Sequence, residues 1–423
     1  MDLTGRRLLY IGGSASITDI AKYTKNHEIK LLTAGKMISE KMKSMTDEYY
    51  IIDVSDREAL KKIVSEHKVD GILVIGNEDV ITCVVDVAES VGIQFFVNRK
   101  QWTELQNKKN FKKNCIRYGI PVVETYELEN SEDVEMIPDS TFSVVLKPAD
   151  SCGSKGISIC NSRNELEQAI KKAKSFSRTG NFLCEKYMDC PEITIKYLFD
   201  RGNIYLWEVN DRYVNREQKD VGGIANGTVY PSKYAQLYLD TIHVKMIKML
   251  QDFKMYNGTM FVQAFVDGSI IRLYDPGIRF SGGLSYFITN HVFGVNPLEF
   301  MINVALVGKM YLGEENPLEK IKVDMNGRHL ANYSLLAKAG TIAEIDGMDM
   351  IRQMPEVFKS LQLLHIGDEV KMVGTLQQVF ARFQIEAESR EKLNEIIKRI
   401  YETVQLKGRN GEDMKLHQAI NIL

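Results

Sequence analysis

The sequence predicts an α/β protein completed by an α+β unit at its C-terminal end. Three observations carry that reading. Strand and helix patterns alternate over the first hundred residues, several strands crowd together in the middle, and the last ninety residues mix strands with one amphipathic helix. A chain of 423 residues exceeds one ordinary core, so two to four units are expected. Apolar residues make up 44% and charged residues 26%, the balance of a globular protein. A formal net charge of −2 gives no general attraction for nucleic acid or acidic membranes. No apolar run reaches the length of a membrane span.

The elements follow in order. "RLLYIGGSA", "HEIKLLTAG", "YYIIDV" and "VDGILVIGNED" read as strands, and "VGIQFFV" closes the set. Between them "SDREALKKIVSEH" reads as a helix, with Ser55 and Glu58 at capping-box spacing and Leu60, Ile63 and Val64 on one face. Alternation of this kind implies a parallel sheet wrapped by helices, placed at 1–102. Gly12-Gly13-Ser14 lacks a full GxGxxG and reads as a plain strand-to-helix turn. Residues 103–118 read as one helix, stopped by Gly119 and Pro121. A central unit at 103–312 is expected, with a small lid at about 140–208. "YAQLYLDTIHVKMIKMLQDF" and "PLEFMINVALVGK" are helices, and a hairpin turns at Asp267-Gly268. The polar segment 311–329 marks a boundary, and an α+β unit fills 330–423. Its helix carries Leu393, Ile396, Ile397, Ile400 and Val404.

Six cysteines at no metal-ligand spacing read as reduced, mostly buried and cytoplasmic. Seven scattered histidines form no HxH or HExxH pair, which argues against zinc.

One stretch carries more chemistry. In "VVLKPADSCGSKGI" a buried strand ends on Lys147, and the loop Ser151-Cys152-Gly153-Ser154-Lys155-Gly156 follows. A buried charge is expensive unless it meets an opposite charge, and a nucleotide phosphate supplies one. Small loop residues let backbone N–H groups approach phosphate oxygens. An ordinary surface turn with two solvated lysines explains the same stretch alone, and it does not match GxxxxGK[ST]. Further on, Glu185-Lys186-Tyr187 end a strand that restarts at Glu192. Lys108 stands eleven residues before Gly119, and Gln263 stands twelve before Asp275 and sixteen before Arg279.

This order resembles the ATP-grasp superfamily of carboxylate–amine and carboxylate–thiol ligases, over about residues 5–310. Biotin carboxylase, carbamoyl phosphate synthetase and the L-amino acid ligases belong to it, and the tail from Leu335 to Gly374 resembles the last of these. The resemblance implies ATP and Mg²⁺ as cofactors. It places Lys108 and Lys147 on ATP phosphates and Ser151 to Gly156 as a mobile loop over them. Glu185, Lys186 and Tyr187 fall at the adenine hinge, and Glu192 on the ribose. Gln263 and Asp275 take the two magnesium-ligand positions, and Arg279 stabilises an acyl phosphate, with Lys147 and Lys155 assisting. Transfer between two anions needs charge neutralisation more than covalent help, which suits these residue types.

Many members read Glu-x-Asn-Pro-Arg where this chain has Asp275-Pro276-Gly277-Ile278-Arg279, and Gly277 offers a metal no side-chain oxygen. Register adds a condition. A plain two-residue turn at Asp267-Gly268 would put Gln263 and Asp275 on opposite faces, so a shared metal requires a longer or bulged hairpin. Asn77 and Glu78, at the carboxyl end of a strand, are candidates for substrate contact. Arg212 and Arg216 read as a solvated face, and His291 as structural.

The expected activity is ligation of a small carboxylate to an amine through an acyl phosphate, and the C-terminal resemblance tilts the carboxylate toward an amino acid. A ligase using bicarbonate or ammonia is the first alternative. An ATP-binding protein without catalysis, motivated by Asp275 and Gly277, is the second. The partners expected are small carboxylates and amines, with no nucleic acid and no membrane, and the resemblance implies a homodimer.

Overall fold

The structure is a computed structural model and describes residues 2–128, 137–151, 155–216, 223–371, 373–416 and 420–422. Four parallel strands open the chain: β1 (Arg7–Ile11), β2 (Lys30–Gly35), β3 (Glu48–Ile51) and β4 (Gly71–Val74). Their order is β3-β2-β1-β4. All four residues of β4 are buried, as in a strand covered on both faces. The helix Glu78–Val91 leaves the end of β4, capped by Asn77, whose side chain accepts from the Val80 N–H at 3.2 Å.

Two expectations for this region need correction. "VGIQFFV" forms no strand. Phe96 and Val97 are buried as a connector, and Phe96 lies so close to Gly258 (φ +114°) that a Cβ there would come within 2.9 Å of its ring. The helix Arg57–Glu66 is capped by Asp56, not Ser55: the Asp56 carboxylate accepts from the N–H groups of Glu58 and Ala59. A charged acceptor one residue nearer the helix displaced the serine.

A second small sheet holds β5 (Thr125–Tyr126), β6 (Val144–Pro148), β7 (Ser158–Cys160) and β8 (Phe182–Lys186), in the order β5-β8-β6-β7. It packs its own core of Val144, Leu146, Leu166, Ile170 and Cys184 against the helix Leu166–Ser175. This sheet ends at Lys186, short of the lid boundary expected at 208. The next strands, β9 (Glu192–Asp200) and β10 (Asn203–Asn215), join the large sheet instead. Every residue of β9 is buried, and β10 and β12 pair with it on its two edges.

The large sheet continues with β11 (Ile224–Tyr230), β12 (Gly258–Asp267), β13 (Ile270–Gly277) and β14 (His329–Leu336). After them come β15 (Gly340–Asp346), β16 (Val357–Gln362), β17 (Glu369–Val370), β18 (Val379–Ala387) and β19 (Gln405–Gly408). Eight of these strands run β13-β12-β9-β10-β11-β14-β18-β16. Through the β11–β14 pairing the C-terminal third extends the central sheet across the expected boundary at 312–330. The helix Arg390–Thr403 buries Leu393, Ile396, Ile397 and Ile400 against it, as its spacing predicted.

Candidate functional site

The region expected as one helix at 103–118 is two helices, Arg99–Gln106 and Lys108–Arg117. Asn107 sits between them in extended conformation (ψ 122°), and its side chain accepts from the N–H groups of Lys109 and Asn110. The break matters because it starts a new helix at Lys108. Lys108 and Lys112, one turn apart, then point the same way. Lys108 Nζ reaches the Ser151 carbonyl at 3.0 Å and the Asp275 carboxylate at 2.8 Å. Lys112 forms an ion pair with one oxygen of Glu185 and donates to Val123 O at 2.9 Å and Thr125 Oγ1 at 2.8 Å. Lys147, on β6, takes the other oxygen of Glu185 at 2.8 Å and lies 3.3 Å from the Tyr274 carbonyl. Burial pulls the Lys112 ammonium down to about 8, against the opposing pull of Glu185.

Gln263 and Asp275 are direct cross-strand partners, so their side chains share a face. The hairpin itself has a two-residue connection, with Asp267 opposite Ile270. That register alone would have separated them. A bulge restores the pairing: Ala264 opposes Leu273, the next pair is Gln263–Asp275, and Tyr274 is the extra residue. The Tyr274 hydroxyl lies 2.8 Å from Glu192 Oε2 and 2.9 Å from Gln263 Oε1. Burial and the Glu192 charge push that phenol well above its ordinary range.

The same sheet face continues into a cavity of about 290 Å³ whose lining includes Glu78, Lys196, Asn210, Arg212, Arg279 and Arg382. Arg279 Nε donates to Glu78 Oε1 at 3.0 Å, and its guanidinium lies over the Phe261 ring, 4.8 Å from the centroid. Phe261 also accounts for Gly277. The two are cross-strand partners, and a Cβ on Gly277 would fall 2.2 Å from the ring. An aromatic platform fills the space that a metal-binding asparagine would need. Among the described residues no group of three or more His, Cys, Asp or Glu is placed to hold a metal. The available oxygens are those of Asp275 and Gln263, one carboxylate and one amide.

The other expected residues are placed as follows. Cys152, Gly153 and Ser154 lie outside the described residues. Lys155 is exposed, and Gly156 (φ +73°) packs so closely that a Cβ would meet Phe176 and Pro148 at 2.7 and 2.8 Å. The Glu185 side chain faces the two lysines, and Lys186 is exposed. The N–H groups of Lys186 and Tyr187 are already bonded to the carbonyls of Glu124 and Ser143, which narrows the backbone donors left at an adenine hinge. Both oxygens of Glu192 are taken, by Arg212, Arg216 and Tyr274. The arginines expected on a solvated face therefore flank a buried carboxylate, and Arg212 lines the cavity. Of the substrate candidates, Asn77 caps a helix while Glu78 holds Arg279. His291 stacks on Phe358 and pairs with Glu386 at 2.7 Å, a structural role.

Sequence reasoning missed Lys112, Tyr274, Asn210 and Arg382. The i, i+4 spacing from Lys108 was the available signal for Lys112. Nothing local announces the others, whose positions depend on a bulge and on strand order.

Comparison with known proteins agrees with the resemblance. Residues 105–273 match the ATP-grasp domain family, so this part of the chain is an ATP-grasp domain. The chain is 26% identical to phosphoribosylamine–glycine ligase of Methanocaldococcus jannaschii over 235 residues, 52% of this chain and 53% of that protein. It is 24% identical to the carbamoyl phosphate synthase large chain of Pyrococcus furiosus over 153 residues, 34% of this chain and 14% of that one. Its match thus spans about half the length of the first curated relative. Among solved structures, L-amino acid ligase from Bacillus licheniformis superposes with a TM-score of 0.79 at 16% identity, covering 96% of this chain and 100% of that one. The biotin carboxylase domain of 2-oxoglutarate carboxylase from Hydrogenobacter thermophilus, described with MgADP and bicarbonate, gives 0.74 at 18% identity, covering 96% and 91%. These likenesses bear out the mixed α/β fold class.

Proposed function

We propose that this chain, whose residues 105–273 are an ATP-grasp domain, is an ATP- and Mg²⁺-dependent ligase that joins a small carboxylate to an amine. One observation carries the reading: among the described residues Lys108, Lys112 and Lys147 meet Glu185 and Asp275, three ammonium groups against two carboxylates. The surplus positive charge suits a polyanion such as the triphosphate of ATP. Relatives named phosphoribosylamine–glycine ligase and carbamoyl phosphate synthase supply the reaction class.

A carboxylate oxygen attacks the γ-phosphorus, and the bond to ADP breaks. The amine nitrogen then attacks the acyl carbon, phosphate leaves, and the amine loses a proton. Lys147 and Lys108 hold phosphate oxygens, and a triphosphate frees Asp275 from its pairing with Lys108. Arg279, steadied by Glu78 and Phe261, neutralises the acyl phosphate. The Asp275 carboxylate and Gln263 amide oxygen, on one face, fit a single Mg²⁺ that keeps several waters. When bound, the metal supplies charge neutralisation at the phosphoryl oxygens. The lid sheet of β5 to β8 covers the nucleotide.

The Phe261 ring at Gly277 favours a second reading, an ATP-binding protein without catalysis. Hydroxylamine trapping separates the two. Protein, ATP, Mg²⁺ and pooled carboxylates should yield a hydroxamate from one pool under the ligase reading. Nucleotide binding with no hydroxamate from any pool would favour the second.

A further inference from the structure

Arg382 lies on β18 and is 8% exposed. Among the described residues it has no acidic partner. Its Nη1 donates to the Gly282 carbonyl at 2.7 Å, and its Nε has no hydrogen-bond partner. Ser334 is its cross-strand neighbour, and both line the cavity. A buried guanidinium without a counter-charge is costly, and burial pulls this one down to about 10. The same cavity holds a second unsatisfied group. Asn210 is 1% exposed, and neither its amide oxygen nor its amide nitrogen has a partner among the described residues. A cation and an amide left unpaired in one cavity wall call for one ligand.

We infer that Arg382 and Asn210 bind an acidic group on the amine-bearing substrate, a carboxylate or a phosphate. This rests on the ligase reading for the word amine, and on the cavity alone for the anion. The group differs from the carboxylate that is activated. Five strand spacings separate β18 from β12, which carries Gln263, and β10 with Asn210 lies between them. Arg279, near the reacting end, already has Glu78. Gly282 and Gly283 mark the path between the two ends. Arg382 holds the Gly282 carbonyl, and Asn332 Nδ2 donates to the Gly283 carbonyl at 2.6 Å. The turn that follows Arg279 is thereby tied to β14 and β18. Arg382 is then a binding residue that sets which amine is accepted.

The direct test needs no turnover. Arginine-labelled protein, saturated with a non-hydrolysable ATP analogue, is titrated with sodium acetate and separately with inorganic phosphate. The Arg382 Nε–H resonance, assigned by its absence in Arg382→Lys, should shift saturably with one or both anions. Acetate alone identifies a carboxylate, and phosphate alone a phosphoryl group. No shift with either, while the analogue binds, overturns the inference. Failure of the ligase reading would instead show as no hydroxamate or phosphate release, with the titration intact. Where turnover is found, Arg382→Gln should raise KM for the amine on the order of 10²-fold and leave KM for ATP unchanged. Arg382→Lys should recover part of that loss. A fall in kcat with KM unmoved would contradict the assignment.

Discussion

Lys147 and Arg382 are both buried cations, 5% and 8% exposed, yet they are treated differently. Lys147 shares Glu185 with Lys112, so its charge is paired within the protein. Arg382 has a single carbonyl and no carboxylate among the described residues. The first arrangement positions charge at little cost, so the fold keeps a nucleotide site ready. The second keeps a charge uncompensated, so stability is given up for attraction to an anion. A site for a constant ligand tolerates internal pairing, whereas one that selects a substrate gains from an open charge.

The largest expected effect tests the paired side. Glu185→Gln strips two buried ammonium groups of their partner and should destabilise the protein by about 3–5 kcal/mol in urea unfolding. A change below about 1 kcal/mol would mean the pairing is not structural. Arg382→Met should act in the opposite direction. Removing an unmatched buried cation should leave stability unchanged or raise it by about 1–3 kcal/mol by the same measurement. A loss as large as that of Glu185→Gln would erase the contrast.

Tyr274→Phe probes the bulge beside Gln263. Losing the hydroxyl that Glu192 and Gln263 share should cost about 1 kcal/mol and weaken magnesium-dependent nucleotide binding, read by calorimetry with and without the metal. Equal binding to wild type would show that the bulge alone sets Gln263.

The smallest effect is a pH slope. Lys112 sits near 8 when folded, below its ordinary 10.5. Below about 8 both states are charged and the burial penalty is in full force. Between about 8 and 10.5 the unfolded chain still holds a proton that the folded chain has released, so stability rises with pH across that window. Lys112→Met should flatten the slope of urea midpoint against pH there. An unchanged slope would assign it to other groups.

Much of this was legible in the chain, for identifiable reasons. The parallel strands and the helix of Leu393 to Ile400 carry continuous or 3.6-residue patterns that survive any tertiary context. Lys147 stood out because a charge at the end of an apolar run has few explanations, and Asp275 and Arg279 through their spacing from Gln263 and the resemblance it carries. The bulge was required by parity before its position at Tyr274 was visible, since register decides which face a side chain takes. Glu192 with Arg212 and Arg216 could not be read, because their meeting depends on β9 and β10 pairing with a register shift between Leu206 and Glu208. Arg382 was hidden for a related cause: only the joining of β14 to β11 brings β18 onto the same face as Asn210.

The most direct test of the central claim is a phosphate-release screen. Purified protein receives ATP and Mg²⁺ with pools of small carboxylates and amines, beside a Lys147→Ala control. The account predicts release that depends on one carboxylate pool together with one amine pool and disappears in the control. No release from any pair of pools, with ATP bound tightly by calorimetry, would contradict it.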